Sequence, residues 1–301
     1  MLRKTFAILI STAFALSLKA SPNAAPTAGT LSAADIVAKN VAARGGLQAW
    51  RAVESMTLSG KMGVGGNQRA TASVRIPGGR DTQNQLQGVR PRRVDEVQLP
   101  FVMDLARPHK SRVELEFNGQ TAIQVYDGTN GWKLRPYLNR LDVEPYTEEE
   151  MKMASTQAEL DGFIIDYAAK GTRIELDGSE KVENRDTYKL KLMLKNGDVT
   201  HVWVDAETFL EAKVQGQPRR LDGTYHAVEV YYRDYRNVNG LQIPFLLETR
   251  VLPVARTMLG RDTPVPPEKA VIEKVVINPK LDAGLFSKPV PNPARVAPKA
   301  K

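Results

Sequence analysis

The sequence YKLKLMLKNGDVTHVWVD, residues 188–205, has the pattern of two β-strands joined by a tight turn. Its first half places an apolar side chain at every second position, at Tyr188, Leu190, Leu192 and Leu194. A period of two residues sets one face of a β-strand against a core and the other against water. Asn196-Gly197 then supplies the positive φ angles of a tight turn. One dry face and one wet face indicate antiparallel strands, because a parallel sheet buried on both sides has unbroken apolar runs.

The same alternation recurs along most of the chain. It is found in residues 56–64, 113–117 and 210–214, and pairs such as Asn118-Gly119 and Asn239-Gly240 separate further strand-like runs. The sequence therefore predicts a mainly β fold with helices, an incomplete, half-open antiparallel β-barrel of about 11 strands covered by helices.

Helix signals occur at two places in this pattern. Ser32 and Asp35 form a capping box, and the helix that they open ends at Gly45-Gly46, before a short helix that turns Trp50 toward the core. Residues 147–150 form a second capping box, whose helix is predicted to continue to Lys170. Two helical segments are too few to form a second layer, so we expect them to close the mouth of a strongly curved sheet.

Two arrangements are possible for the dry face of such a sheet. It encloses an apolar cavity that takes a lipid-like ligand, or its own side chains fill the interior. The periodicity favours the cavity and leaves the filled half-barrel open as the alternative.

The two ends of the chain are predicted to lie outside the fold. Residues 1–24 have the order of a secretory signal peptide, with Arg3-Lys4 before an apolar run that is too short to span about 30 Å of hydrocarbon. We predict a linker over 25–31, a single domain over 32–287 and an extended, Pro-rich basic tail over 288–301. The mature protein is therefore expected to be soluble and exported to the periplasm.

Charge is concentrated in these ends. The 42 Lys and Arg residues exceed the 34 Asp and Glu residues, which gives a net charge of +8. After the signal peptide and the tail are removed, one basic cluster remains in residues 64–99, a predicted Arg-rich insertion. Arg90, Arg92 and Arg93 in this segment are candidates for contact with an anionic headgroup, a membrane surface or a partner, and a solvated loop is the alternative. Export and the lack of aromatic residues in the segment argue against nucleic acid.

Catalytic and metal-binding motifs are missing from the sequence. With no Cys and three His, thiolate chemistry is excluded and a metal site is not expected. No nucleophile elbow, phosphate loop, zinc motif or dinucleotide fingerprint is present. We predict no enzyme activity, no cofactor and no metal.

Several stretches in order resemble a known family. ADIVAKN (34–40), GGLQAW (45–50), VESMTLSGKM (53–62), YDGTNGW (126–132) and YRNVNGLQIPF (235–245) are similar to the outer-membrane lipoprotein-sorting family of the LolA/LolB-like periplasmic carrier superfamily. The resemblance implies a soluble carrier or chaperone whose apolar cavity shields the acyl chains of a lipoprotein or a lipid. It also implies an inner-membrane donor complex and an outer-membrane acceptor as partners.

We expect acyl chains to contact inward residues of the sheet and of the helices. These candidates are Trp50, Leu58, Met62, Leu115, Phe117, Phe163, Tyr167, Leu192, Val230 and Phe245. The alternative function is a periplasmic protein-interaction or sensor module, because similar half-barrels occur in envelope-stress regulators. A sheet interior filled by its own side chains would favour that alternative.

Overall fold

The computed structural model describes residues 31–64, 97–136, 140–221, 224–253 and 265–290. The predicted signal peptide and nearly all of the linker lie outside these residues. So do most of the arginine-rich segment, with Arg90, Arg92 and Arg93, and the last eleven residues of the predicted tail.

Thirteen strands follow one another along the described chain. They are β1 (Ser55–Val64), β2 (Val97–Ala106), β3 (Lys110–Phe117), β4 (Gln120–Tyr126), β5 (Gly131–Arg135), β6 (Arg140–Pro145), β7 (Arg173–Val182), β8 (Arg185–Met193), β9 (Val199–Asp205), β10 (Glu211–Leu221), β11 (Thr224–Val238), β12 (Leu241–Val251) and β13 (Glu268–Ile277).

All thirteen strands form a single sheet in the order β6-β5-β4-β3-β2-β1-β13-β12-β11-β10-β9-β8-β7. Neighbouring strands are antiparallel throughout, and β13 returns to pair with β1. β6 and β7 are the two edges, so the sheet is open. The prediction of an open antiparallel β-fold is confirmed.

The strand count differs from the predicted 11. Each edge strand has only a short apolar alternation, Leu141 and Val143 on β6 and Ile174 and Leu176 on β7. Every residue of β6 and nearly every residue of β7 keeps some exposure to solvent. Val182, at the end of β7, is the buried exception.

The predicted tight turns are present between adjacent strands. Asn118 and Gly119 have φ angles of 49° and 72°, and Asn239 and Gly240 have φ angles of 51° and 87°. Two successive positive φ values match the twist of a two-residue hairpin. These turns fix the register of β3 with β4 and of β11 with β12.

Three helices cover one side of the sheet: α1 (Ala33–Ala43), α2 (Leu47–Arg51) and α3 (Glu148–Gln157). Both capping boxes are present, with Ser32 Oγ accepting from the Asp35 amide and Thr147 Oγ1 accepting from the Glu150 amide. Gly45 connects α1 to α2 at a φ angle of 112°. A Cβ atom there would lie 2.4 Å from the carbonyl oxygen of Gly240, so this close approach requires glycine.

The helix predicted to continue to Lys170 ends earlier. α3 stops at Gln157, and residues 160–171 form a series of turns. Gly162 and Asp166 have φ angles of 76° and 52°, which a right-handed helix does not allow. We call residues 158–171 the cover segment, because Leu160 and Ile165 pack onto the sheet.

The sheet face that the helices cover is called the inner face. On β1 it carries Met56, Leu58 and Met62, whose partners on β2 are Leu105, Met103 and Leu99. Thr57 and Asp104, between them, lie on the opposite face and are joined by a hydrogen bond of 2.5 Å. None of the helices in the described part of the chain is long and apolar enough to cross a membrane.

Candidate functional site: the apolar inner face

A large apolar cluster occupies the inner face of the four central strands β2, β1, β13 and β12. Its sheet residues alternate along each strand, as the period of two requires. Its buried members are Trp50, Val53, Met56, Leu58, Phe101, Leu105, Leu160, Ile165, Leu241, Ile243, Phe245 and Ile272. Helix α2 and the cover segment contribute Trp50, Leu160 and Ile165, so these elements fill the space above the strands.

The structure brings half of the predicted acyl-contacting residues together. Trp50, Leu58 and Phe245 are buried members of the apolar cluster, and Met62 and Leu115 pack against it. Their role in lipid binding stays a prediction.

The other five candidates lie at different places. Leu192 is fully buried on β8, six strands away from β1 in the sheet order. Phe117 is half-buried at the end of β3, Val230 is half-buried on β11, and Phe163 and Tyr167 are half-buried in the cover segment.

The cover segment is held to the rest of the protein by polar contacts. Arg107 Nη2 lies 2.6 Å from Asp161 Oδ2, and within the cover segment Lys170 donates to the same carboxylate. Arg51 Nε lies 2.7 Å from Asp166 Oδ2, and this hydrogen bond from Arg51 lowers the pKa of that carboxyl. Among the described contacts, ion pairs between side chains therefore join the cover segment to the residue that follows β2 and to α2.

A further polar contact joins the cover to the turn after β2. His109 Nδ1 lies 2.7 Å from Glu159 Oε1 at the rim, where His109 is exposed. The two residues border a cleft of about 100 Å³. Its lining residues are Ala106, Arg107, Pro108, His109, Ala158, Glu159 and Leu160. Ligand pockets usually measure about 300–1,000 Å³, so this cleft is too small for an acyl chain.

A buried ion pair anchors the end of α1 beneath the cover. Arg44 Nη1 donates to Glu211 Oε1 at 3.0 Å and to the carbonyl oxygen of Asp161 at 3.0 Å. The Arg44 guanidinium also lies 4.4 Å from the centre of the Trp50 ring, whose Nε1 donates to the Arg44 carbonyl. One side chain thus connects α1, the sheet and the cover segment.

Two tyrosines complete this polar region. The Tyr235 hydroxyl donates to Glu211 Oε2 at 3.2 Å. Burial and the Glu211 charge raise the pKa of Tyr235 well above its ordinary value, and the same causes raise the pKa of Tyr232 to about 12. Both phenols are therefore neutral at physiological pH, and Arg44 and Glu211 carry the paired charges beside them.

Sequence reasoning missed part of the cluster and all of the buried ion pair. The alternation of Leu241, Ile243 and Phe245 along β12 could have identified its members there. Nothing local identifies Arg44 and Glu211, which are 167 residues apart. In the described residues, no group of three or more His, Asp or Glu side chains is placed to hold a metal ion.

Solved structures with a similar fold were found, although no family model and no curated protein matches the chain. A LolA superfamily protein from Nitrosomonas europaea is 13% identical, with a TM-score of 0.48, over 86% of this chain and 99% of the other. A domain from Vibrio parahaemolyticus, assigned as an outer membrane lipoprotein-sorting protein, is 12% identical, with a TM-score of 0.48, over 84% and 95%. A DUF1329 family protein from Desulfovibrio piger is 12% identical, with a TM-score of 0.47, over 84% and 96%.

Proposed function

We propose that the protein is a soluble periplasmic carrier that binds the acyl chains of a lipoprotein or lipid and helps to sort them toward the outer membrane. The observation that supports this proposal is the apolar cluster on the inner face, which lies beneath a cover held by polar side-chain contacts. An inner-membrane donor and an outer-membrane acceptor are the partners that such a carrier requires.

In this proposal the acyl chain replaces the cover segment on the sheet. Leu160 and Ile165 leave the inner face, and the chain takes their place against residues such as Leu58 and Phe245. Ten buried methylenes contribute about 8 kcal/mol. Withdrawing two aliphatic side chains costs about 3–6 kcal/mol. The small difference between these values suits a carrier, because cargo that is bound too tightly could not be handed on.

Neighbouring residues on β2 provide a matched test of the binding face. Met103 packs against the inner cluster, whereas Val102 lies on the opposite face and is 37% exposed. Met103→Gln should weaken binding of a fluorescent dodecanoyl probe about tenfold, because an unpaired amide beside an acyl chain costs about 1–3 kcal/mol. Val102→Gln should leave the affinity unchanged. Equal effects of the two substitutions would exclude the inner face as the binding site.

The filled inner face also favours a second candidate, a protein-interaction or sensor module without cargo. The mature chain should be purified from a bacterial periplasm, and its organic extract analysed by mass spectrometry. A carrier yields bound lipid or an acylated polypeptide in a defined ratio to protein. An extract free of both, together with no binding of the dodecanoyl probe, would support the interaction module instead.

A further inference from the structure

One polar group on the inner face is neither part of the apolar cluster nor used by the cover. Arg219 on β10 and Glu268 on β13 form an ion pair, with Arg219 Nη1 2.8 Å from Glu268 Oε2. The strands β11 and β12 lie between them in the sheet. Three strand spacings amount to about 14 Å in a flat sheet. Because the two side chains meet across this distance, the sheet is strongly curved between β10 and β13.

Strand register places this pair on the same face as the apolar cluster. Leu247 on β12 is opposite Ala270 on β13, and both pack against the cluster. Two residues further along, Thr249 is opposite Glu268, and the step of two residues keeps the same face. Glu268 therefore lies about 7 Å along β13 from Ala270, at one end of the apolar cluster.

His226 lies on this face beside the ion pair. It is the register partner of Arg219 and is only 5% exposed. Its Nδ1 lies 3.0 Å from the carbonyl oxygen of Leu252, and because a carbonyl only accepts, Nδ1 carries the hydrogen. In the tautomer with the hydrogen on Nδ1, Nε2 is an acceptor, and Nε2 is buried without a hydrogen-bond partner among the described residues.

We infer that Arg219, His226 and Glu268 form a head-group subsite for a neutral acyl lipid whose head donates a hydrogen bond, such as an amide or a hydroxyl. This inference rests on the proposed carrier function. The head supplies the donor that His226 Nε2 lacks, and its carbonyl accepts from the Arg219 guanidinium, whose five N–H groups exceed those used by Glu268.

The charges at the subsite select against an ionised carboxylate. Such a head has no hydrogen to donate to Nε2, and it would lie beside the Glu268 carboxylate, which repels it. The subsite therefore orients the cargo, with its polar end at His226 and its aliphatic chain along the central strands.

The test compares probes with one acyl chain and different heads. Dodecanamide and monododecanoylglycerol donate a hydrogen bond, whereas methyl dodecanoate does not. The wild-type protein should prefer the donor-bearing probes to the ester by about two- to tenfold, the range of one net hydrogen bond. Whichever of these two probes binds with the higher affinity shows whether the subsite prefers an acyl amide or a lipid hydroxyl.

His226→Phe should abolish this preference and keep the affinity for the ester. The matched control is His201→Phe, because His201 lies on the opposite face, where it contacts Gln215. It should keep the wild-type preference. A preference unchanged in His226→Phe would overturn the subsite. A wild-type protein that binds none of the probes would instead overturn the carrier function.

A second measurement keeps the test informative should His226→Phe fail to fold. The chain has three histidines, so their ring nitrogens can be resolved by ¹⁵N NMR of the wild-type protein. Dodecanamide should shift the His226 Nε2 resonance toward that of a hydrogen-bonded nitrogen, and methyl dodecanoate should not. No difference between the two probes, with both bound, would contradict the inference.

Discussion

Removal of the buried charge of Arg44 should destabilise the protein strongly. Arg44 and Glu211 are paired at 3.0 Å, with side chains that are 9% and 5% exposed, so water screens neither charge. Arg44→Met leaves the Glu211 carboxylate buried, with the Tyr235 hydroxyl as its remaining side-chain hydrogen-bond donor among the described contacts. Loss of one partner of a buried pair costs about 3–5 kcal/mol, and we expect the free energy of unfolding to fall by that amount.

A double variant separates the lost charge pair from lost packing. Arg44→Met combined with Glu211→Met removes both charges, and apolar replacement of a buried pair is often close to neutral. The carbonyl of Asp161 then loses a donor, at about 1 kcal/mol, whereas the Tyr235 hydroxyl keeps the Glu211 backbone carbonyl as its acceptor. The double variant should therefore lie within about 2 kcal/mol of the wild type.

Urea unfolding followed by circular dichroism measures these differences. The matched control is Asp186→Asn, because the pair of Lys181 and Asp186 is 66% and 75% exposed and contributes less than about 1 kcal/mol. The reasoning is refuted if Arg44→Met loses no more stability than this control. It is also refuted if the double variant is as unstable as Arg44→Met alone.

Two further predictions concern acid stability and the α1–α2 connection. Hydrogen bonds from Arg233 and Arg250 lower the pKa of Glu183 to about 2 from 4.5, so the stability they supply is complete above pH 4.5 and lost as the pH falls toward 2. Glu183→Gln should flatten the acid unfolding curve in that window, and a curve parallel to that of the wild type would contradict this. Gly45→Ala should cost at least about 1 kcal/mol more in urea unfolding than Gly46→Ala, because both φ angles are positive but only Gly45 meets backbone within 3 Å. Equal losses would show that the contact is relieved at no cost.

The fold was largely predictable because its signals are local. The capping boxes at Ser32 and Thr147 mark the starts of α1 and α3, and Asn118-Gly119 marks a hairpin. Each of these depends on residues within a few positions of one another. The antiparallel sheet follows from the period of two, which every strand with one buried face repeats.

The candidate site was less predictable because it depends on long-range packing. The apolar periodicity of residues 151–167 fits a helix, yet the positive φ angles of Gly162 and Asp166 direct Leu160 and Ile165 onto the sheet. The predicted cavity is therefore filled by the protein's own side chains over the central strands. The apolar periodicity of a segment identifies which side chains point inward, but not which distant segment packs against them.

Quenching of tryptophan fluorescence by a brominated acyl chain shows whether the chain reaches the inner face of the sheet. Trp50 belongs to the inner cluster, whereas Trp203 packs with Tyr231 on the opposite face. Two single-tryptophan proteins are required, with Trp132→Phe in both and either Trp203→Phe or Trp50→Phe. If the acyl chain replaces the cover, a brominated hexadecanoyl probe quenches Trp50 saturably and leaves Trp203 unquenched. Saturable binding of the probe with no quenching of Trp50 would contradict the account.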